Sequence, residues 1–359
     1  MRRVLVFKHS LERSAMSAFI RSGLGLAVAA LVLAVQPAAA QERTLVVSAF
    51  GVSQDLMRKD LYAPFEARCK CKIVVNVGNS ADRLAKLEAR KGNPEVDVAV
   101  LADFAAMEAA QKDLIEPIDV SKLKNYSKLH EVAKNPIGNH MGVGYTYFAT
   151  SIIYRSDKVK INSWADLTQP ALKGRLALPN ITTTQGPTML LMMDKAFGGT
   201  TPNFATGINK VSEMKGGVVT FYERSAQLVQ LFQQDEIYAA VAGRFNWPLI
   251  KKLNLPLAWA TPKEGVTGGI NVLVVTKGSK NKDLAYAFID EWLSTEAQTR
   301  LAMDLVDSPA NKEVKLPREV ADVLTYGNDT VKALNLIPPT QVLLHRKAWV
   351  DGWNAKVAR

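Results

Sequence analysis

From residue 44 onward the chain changes between two hydrophobic periods. TLVVSA, KIVVNV and VDVAVL are short apolar, β-branched runs, whereas SQDLMRKDLYAPFEAR, SADRLAKLEARK and FAAMEAAQK place apolar residues three and four apart. The first spacing belongs to strands and the second to amphipathic helices. Strand and helix alternating at this length predict βαβ units and a largely parallel sheet. In such sheets ligands gather at the loops leaving the strand C-terminal ends. Here those loops carry Phe50, the pair Asn79 and Ser80, and Asp103.

A second set of elements follows MGVGYTYFATSIIYRS, a β-prone stretch long enough to carry the chain from one lobe to another. It comprises GRLALP, VVTFYE before the helical SAQLVQLFQQD, IYAAVAG before RFNWPLIKK, and LPLAWA. GGINVLVVTKG then reads as a strand returning to the first lobe, with the helical patterns NKDLAYAFIDEWLS and TEAQTRLAMDL behind it. Two crossings make the second lobe an insert, with lobe 1 expected over residues 41–144 and 266–359 and lobe 2 over 145–265. Within lobe 2, ALPNITTTQGPTMLLMMDKAF opens a helix with Thr182, Thr183, Thr184 and Gln185 ahead of a proline. Free amides of a first turn and neighbouring hydroxyls form a polar socket for an anion or hydrogen-bonding group, although the same residues serve equally as a plain N-cap.

Residues 1–40 read as a secretory leader. A basic segment with Arg2, Arg3, Lys8, Arg13 and Arg21 precedes LGLAVAALVLAV and an A-x-A site ending at Ala40, and Met1 or Met16 serves as the start. The expectation is an exported, periplasmic protein. The leader removes five basic residues and one acidic one from the net charge of +11, leaving +7 on a mature chain of 319 residues, enough for two cores. Its basic residues are scattered without interleaved aromatics, so no nucleic-acid groove is expected. Cys69 and Cys71 sit where a helix turns into a strand, so a bridge between them needs a turn. His130, His140 and His345 are far apart in sequence and give no metal-ligand spacing, and no cofactor is expected.

PIDVSKLKNYSKL, NSWADLTQPALKGRLAL, TPKEGVTGGINVLVV and SKNKDLAYAFIDEWLSTEAQTRLA, in this order, resemble the periplasmic solute-binding proteins of ABC importers, and within them the spermidine/putrescine-binding branch. The resemblance covers most of residues 44–305. It implies the type II periplasmic binding protein fold, two α/β lobes closing on one small ligand, with a membrane permease as partner, no chemistry performed, and a monomer. Polyamine binders of that group hold ammonium groups with carboxylates and aromatic faces. The position of a key aspartate corresponds here to Asn271, with Gly268 and Gly269 where bulky aromatics are expected, so the polyamine cage reads as dismantled.

A cleft between such lobes gathers the candidate ligand contacts. Arg244, at a strand end, is placed to clamp a carboxylate or phosphonate, and Asp103 in the opposite lobe to receive an amino group, a combination that suits a zwitterion such as an amino-acid derivative or opine. Phe50, Tyr145, Tyr222 and Trp259 are candidate ring walls, and Ser225, Gly269 and Asn271 complete the set. The alternative function is ferric-ion binding through tyrosines. Against it, Tyr145 and Tyr147 alternate along a strand and the chain contains no Tyr-Tyr pair. An enzyme on the same scaffold needs a nucleophile beside a base, and no G-x-S-x-G elbow stands at a strand–helix turn.

Overall fold

The computed structural model describes residues 43–200 and 202–358; the leader and its cleavage site lie outside the described residues. Among the described residues eleven strands form one sheet: β1 Arg43–Ala49, β2 Cys71–Val77, β3 Val98–Ala102, β4 Ile115–Glu116, β5 Val143–Arg155, β6 Leu176–Pro179, β7 Val218–Tyr222, β8 Ala239–Gly243, β9 Leu257–Trp259, β10 Thr267–Thr276 and β11 Asn335–Leu336. The main order is β2-β1-β3-β10-β5-β8-β6-β7. Two parallel trios, β2-β1-β3 and β8-β6-β7, lie on either side of the antiparallel pair β10 and β5.

The central pair explains the two crossings. β5 pairs with β10 from Val143 to Thr150 and with β8 from Thr150 to Tyr154, so one strand of 13 residues serves both lobes and changes partner at Thr150. Nearly every residue of β5 is buried, which is why its sequence shows an unbroken β-prone run instead of alternation. The β5–β10 register slips between Asn271 and Val272, a bulge that turns the strand beside the central cavity. The result is the two-lobed α/β fold of type II periplasmic binding proteins.

Local elements follow the predicted pattern with two additions. The first helical segment runs as Gln54–Met57, a wider turn at Arg58–Tyr62, and Ala63–Cys69. It ends where Lys70 takes a left-handed conformation (φ 52°), and that turn brings Cys69 and Cys71 into a disulfide with Cα atoms 5.2 Å apart. The second addition is the C-terminal helix Pro339–Lys356, which reaches helices of both halves. Arg346 lies over the ring of Phe104 (5.1 Å) and pairs with Glu108 on the Asp103–Gln111 helix, while Trp349 stacks on Phe204 (4.7 Å) and Trp353 meets Phe221 edge-on (5.3 Å). Among the described residues no helix is long and apolar enough to cross a membrane.

Candidate functional site

The C-terminal ends of both trios converge on one cavity of about 630 Å³. From the first trio come the loops after β1 (Phe50 to Gln54) and β2 (Gly78 to Ser80); from the second come the loops after β6 (Thr183 to Gln185), β7 (Glu223 to Ala226) and β8 (Arg244, Phe245). Tyr145 to Phe148 of β5, Asn271 of β10, and the segments at Asp307–Ser308 and Leu324–Thr325 form the floor between them. Eleven of the fifteen candidate residues line this space: Phe50, Asn79, Ser80, Tyr145, Thr183, Thr184, Gln185, Tyr222, Ser225, Arg244 and Asn271.

Four candidates stand outside the lining. Asp103 begins its own helix, with its carboxylate accepting from the amides of Phe104 (2.7 Å) and Ile270 (3.4 Å); burial pushes it up to about 6. Gly269 packs against Phe148, where a Cβ would come within 2.6 Å of the ring, and Phe148 is the residue that reaches the cavity. Thr182 donates its amide and hydroxyl to Asn180 Oδ1, closing a local turn. Trp259 also lies off the cavity, beneath the Arg244 guanidinium at 4.6 Å.

The threonine loop divides its work by residue. The Thr183 hydroxyl donates to Asn180 O (2.8 Å) and accepts from the Gly186 amide (3.1 Å), which makes it the cap of the Gln185–Ala196 helix. Gly186 is required there, because a Cβ would lie 2.4 Å from Asn180 O. The Thr184 hydroxyl instead meets that of Ser80 at 3.2 Å, across the cleft from the other trio. Asn79 is both wall and cap: its side chain accepts from the Asp82 amide (2.9 Å) while Asp82 accepts from the Asn79 amide.

Charge is unevenly partnered. Arg244 donates from Nε to Val323 O (3.1 Å) and from Nη2 to Asp322 O, so these two donors fix the side chain and only its remaining face is left for an anion. Burial lowers it to about 10, with the Asp322 carboxylate opposing. Arg83, which the sequence reading missed, is 1% exposed, stacks on Phe50 at 3.7 Å and leaves Nη1 without a partner. Tyr147 Oη, Asn271 Oδ1 and Thr325 Oγ1, all on cavity-lining side chains, are likewise buried without protein partners. Such groups normally find a hydrogen bond, so their gathering here fits a site finished by a polar solute.

Asp307 was also missed. It is partly buried in the cavity wall, with Trp292 Nε1 donating to Oδ2 at 3.4 Å; burial pushes its carboxyl up to about 7, against the Trp292 hydrogen bond. A Val-Asp-Ser-Pro turn was its only signal in the sequence.

Comparison with known proteins agrees with this geometry. A crystal structure of an ABC transporter from Clostridium perfringens superposes with a TM-score of 0.73 at 35% identity, covering 87% of this chain and 99% of that one. The putrescine-binding periplasmic protein PotF of Escherichia coli is 26% identical over 316 residues (81% of this chain, 84% of PotF). Iron uptake protein A1 of Synechocystis is 25% identical over 304 residues (81% and 83%). Residues 60–325 match the bacterial extracellular solute-binding protein family as a whole, so with its strand-end cavity between two α/β lobes the chain belongs to that family.

Proposed function

We propose that the protein is the periplasmic substrate-binding component of an ABC importer, acting as a monomer after cleavage near Ala40. It captures a small polar organic solute with an anionic group, amino-acid-derived, opine-like or polyamine-related, and delivers it to a membrane permease without turning it over. The observation carrying this reading is the Ser80–Thr184 contact, which joins the two trios directly over a cavity of about 630 Å³. That volume is in the usual range for small-molecule sites, and a solute touching both lobes stabilises closure by its differential affinity for the closed form. The lobes meant are residues 41–144 with 266–359, and 145–265. Arg244 and the cavity-facing Thr184 and Gln185 supply the anion's contacts.

Calorimetry of the purified protein against amino acids, opines, phosphonates, polyamines and ferric citrate tests this. One organic solute should bind with 1:1 stoichiometry and be recovered unchanged; steady product formation overturns the binding-only reading. Ferric ion is the alternative that the Synechocystis relative brings in. Tyr62, Tyr145, Tyr147 and Tyr222 all line the cavity, but burial raises all four phenols, Tyr145 well above its ordinary value, away from the phenolate that iron needs. The Tyr222 hydroxyl already donates to Val241 O (2.8 Å). A visible charge-transfer band with ferric ion would reverse the preference.

A further inference from the structure

Three acidic side chains reach the cavity wall, and they differ in what holds them. Asp82 is exposed and accepts the Asn79 amide within the helix cap; Glu223 is exposed at the rim. Asp307 is the one of the three that is partly buried, and no lysine or arginine among the described residues pairs with it. Around it stand aromatic rings: Trp292 donates to its carboxylate, Tyr145 lies 4.6 Å from Trp292 between ring centroids, and Tyr62 lies 6.4 Å from Trp292. A partly buried carboxylate without a cation beside it carries a desolvation cost, and aromatic faces beside it favour an alkylammonium group.

A second observation fixes what stands opposite. Arg244 holds the carbonyls of Asp322 and Val323; two residues on, the Thr325 amide donates to Ser308 Oγ (2.9 Å), and Ser308 adjoins Asp307. One short segment thus links the guanidinium to the carboxylate, with one partly buried negative group and one cavity-lining arginine held by it. A diamine needs two carboxylates. We propose that Asp307, walled by Trp292, Tyr62 and Tyr145, receives the single ammonium group of the solute, which is therefore a zwitterion whose anionic group faces Arg244. This inference rests on the solute-capture reading and names its substrate class.

A proton linkage follows. The groups facing Asp307 are the Tyr62 phenol from the 54–69 segment, Tyr145 and Thr146 from β5, and Trp292 from the Lys282–Trp292 helix; burial keeps the phenols neutral. Arg83 acts on Tyr145, and Asp304, three residues before Asp307, pairs with Lys59. Only Asp307 in this set changes charge near neutrality. An ammonium favours its ionised form, so binding releases a proton below about pH 7 and affinity falls as the pH drops, by up to about tenfold per unit.

The test is calorimetry of the whole mature protein with 4-aminobutanoate, 2-aminoethylphosphonate, an opine, their N-acetyl derivatives and putrescine, at pH 5.5 to 8.5, on wild type, Asp307→Asn and Asp307→Glu. At least one zwitterion should bind, its N-acetyl derivative and putrescine should bind at least about tenfold more weakly, and the pH slope should vanish in Asp307→Asn and persist in Asp307→Glu. Equal binding of an N-acetyl derivative, or an affinity and pH slope untouched in Asp307→Asn, overturns the ammonium assignment while leaving solute capture standing. If no organic compound binds the wild type, both readings fall together.

Discussion

Adjacent threonines in the Thr182–Thr184 run have different partners, and their substitutions should separate. Thr183→Val removes the hydroxyl that caps the Gln185–Ala196 helix and should cost about 1 kcal/mol of folding stability with little change in affinity. Thr184→Val removes the contact with Ser80 and should weaken binding while the melting temperature of the unliganded protein holds. If the two variants behave alike, this division of labour is wrong. Asp307 yields the opposite kind of prediction, a destabilising group. Its folded pKa is raised from 3.8 to about 7, so the penalty is absent below about pH 4, grows through that interval and is complete above it. Asp307→Asn should therefore raise the melting temperature of the unliganded protein at pH 8, by on the order of 2 to 4 kcal/mol of stability, and the gain should fade toward pH 4. Thermal scans at the two pH values decide it; an equal effect at both would contradict the burial argument. The sequence made the threonine loop legible because caps and turns are local chemistry. It did not reveal Asp307, whose partner Trp292 comes from the Lys282–Trp292 helix, and it overvalued Asp103, whose helix-start carboxylate is taken up by two backbone amides.

Strands and helices were legible wherever a period ran long enough. The β1-to-β3 alternation reads directly, and the unbroken burial of β5 announces a strand shared by two lobes. The polyamine cage was legible only in part. Asn271 and Gly269 lie on one strand, but Phe148 fills the space beside Gly269, and the cavity-facing carboxylate comes from the segment after the Thr295–Met303 helix. Element identity along one strand cannot show what another segment brings to it. The Pro339–Lys356 helix gave only general helical character in sequence because its apolar residues form no clean stripe; its buried Trp349 and Trp353 face different neighbours, Phe204 and Phe221. Trp349 is fully buried on Phe204 and donates to Pro202 O (2.8 Å). Trp349→Ala should cost about 3 to 5 kcal/mol, read by denaturant titration, and a loss under 1 kcal/mol, roughly, would mean that the helix is dispensable for the fold.

At the scale of the whole molecule, two parallel trios share two antiparallel strands, and all their ligand-side loops face one another. On the proposed reading capture and conformational change are the same event, since a solute that contacts Arg244 and the Thr184 loop of one lobe and Asp307 of the other favours the shut cleft. Native mass spectrometry of the mature protein, freshly purified from its own cells, addresses that claim most directly. The account predicts one small zwitterionic molecule per chain, released intact on denaturation and absent from an Arg244→Ala, Asp307→Asn double variant that retains its fold. A bound ferric ion, or the same molecule retained at full occupancy by the folded double variant, would contradict it.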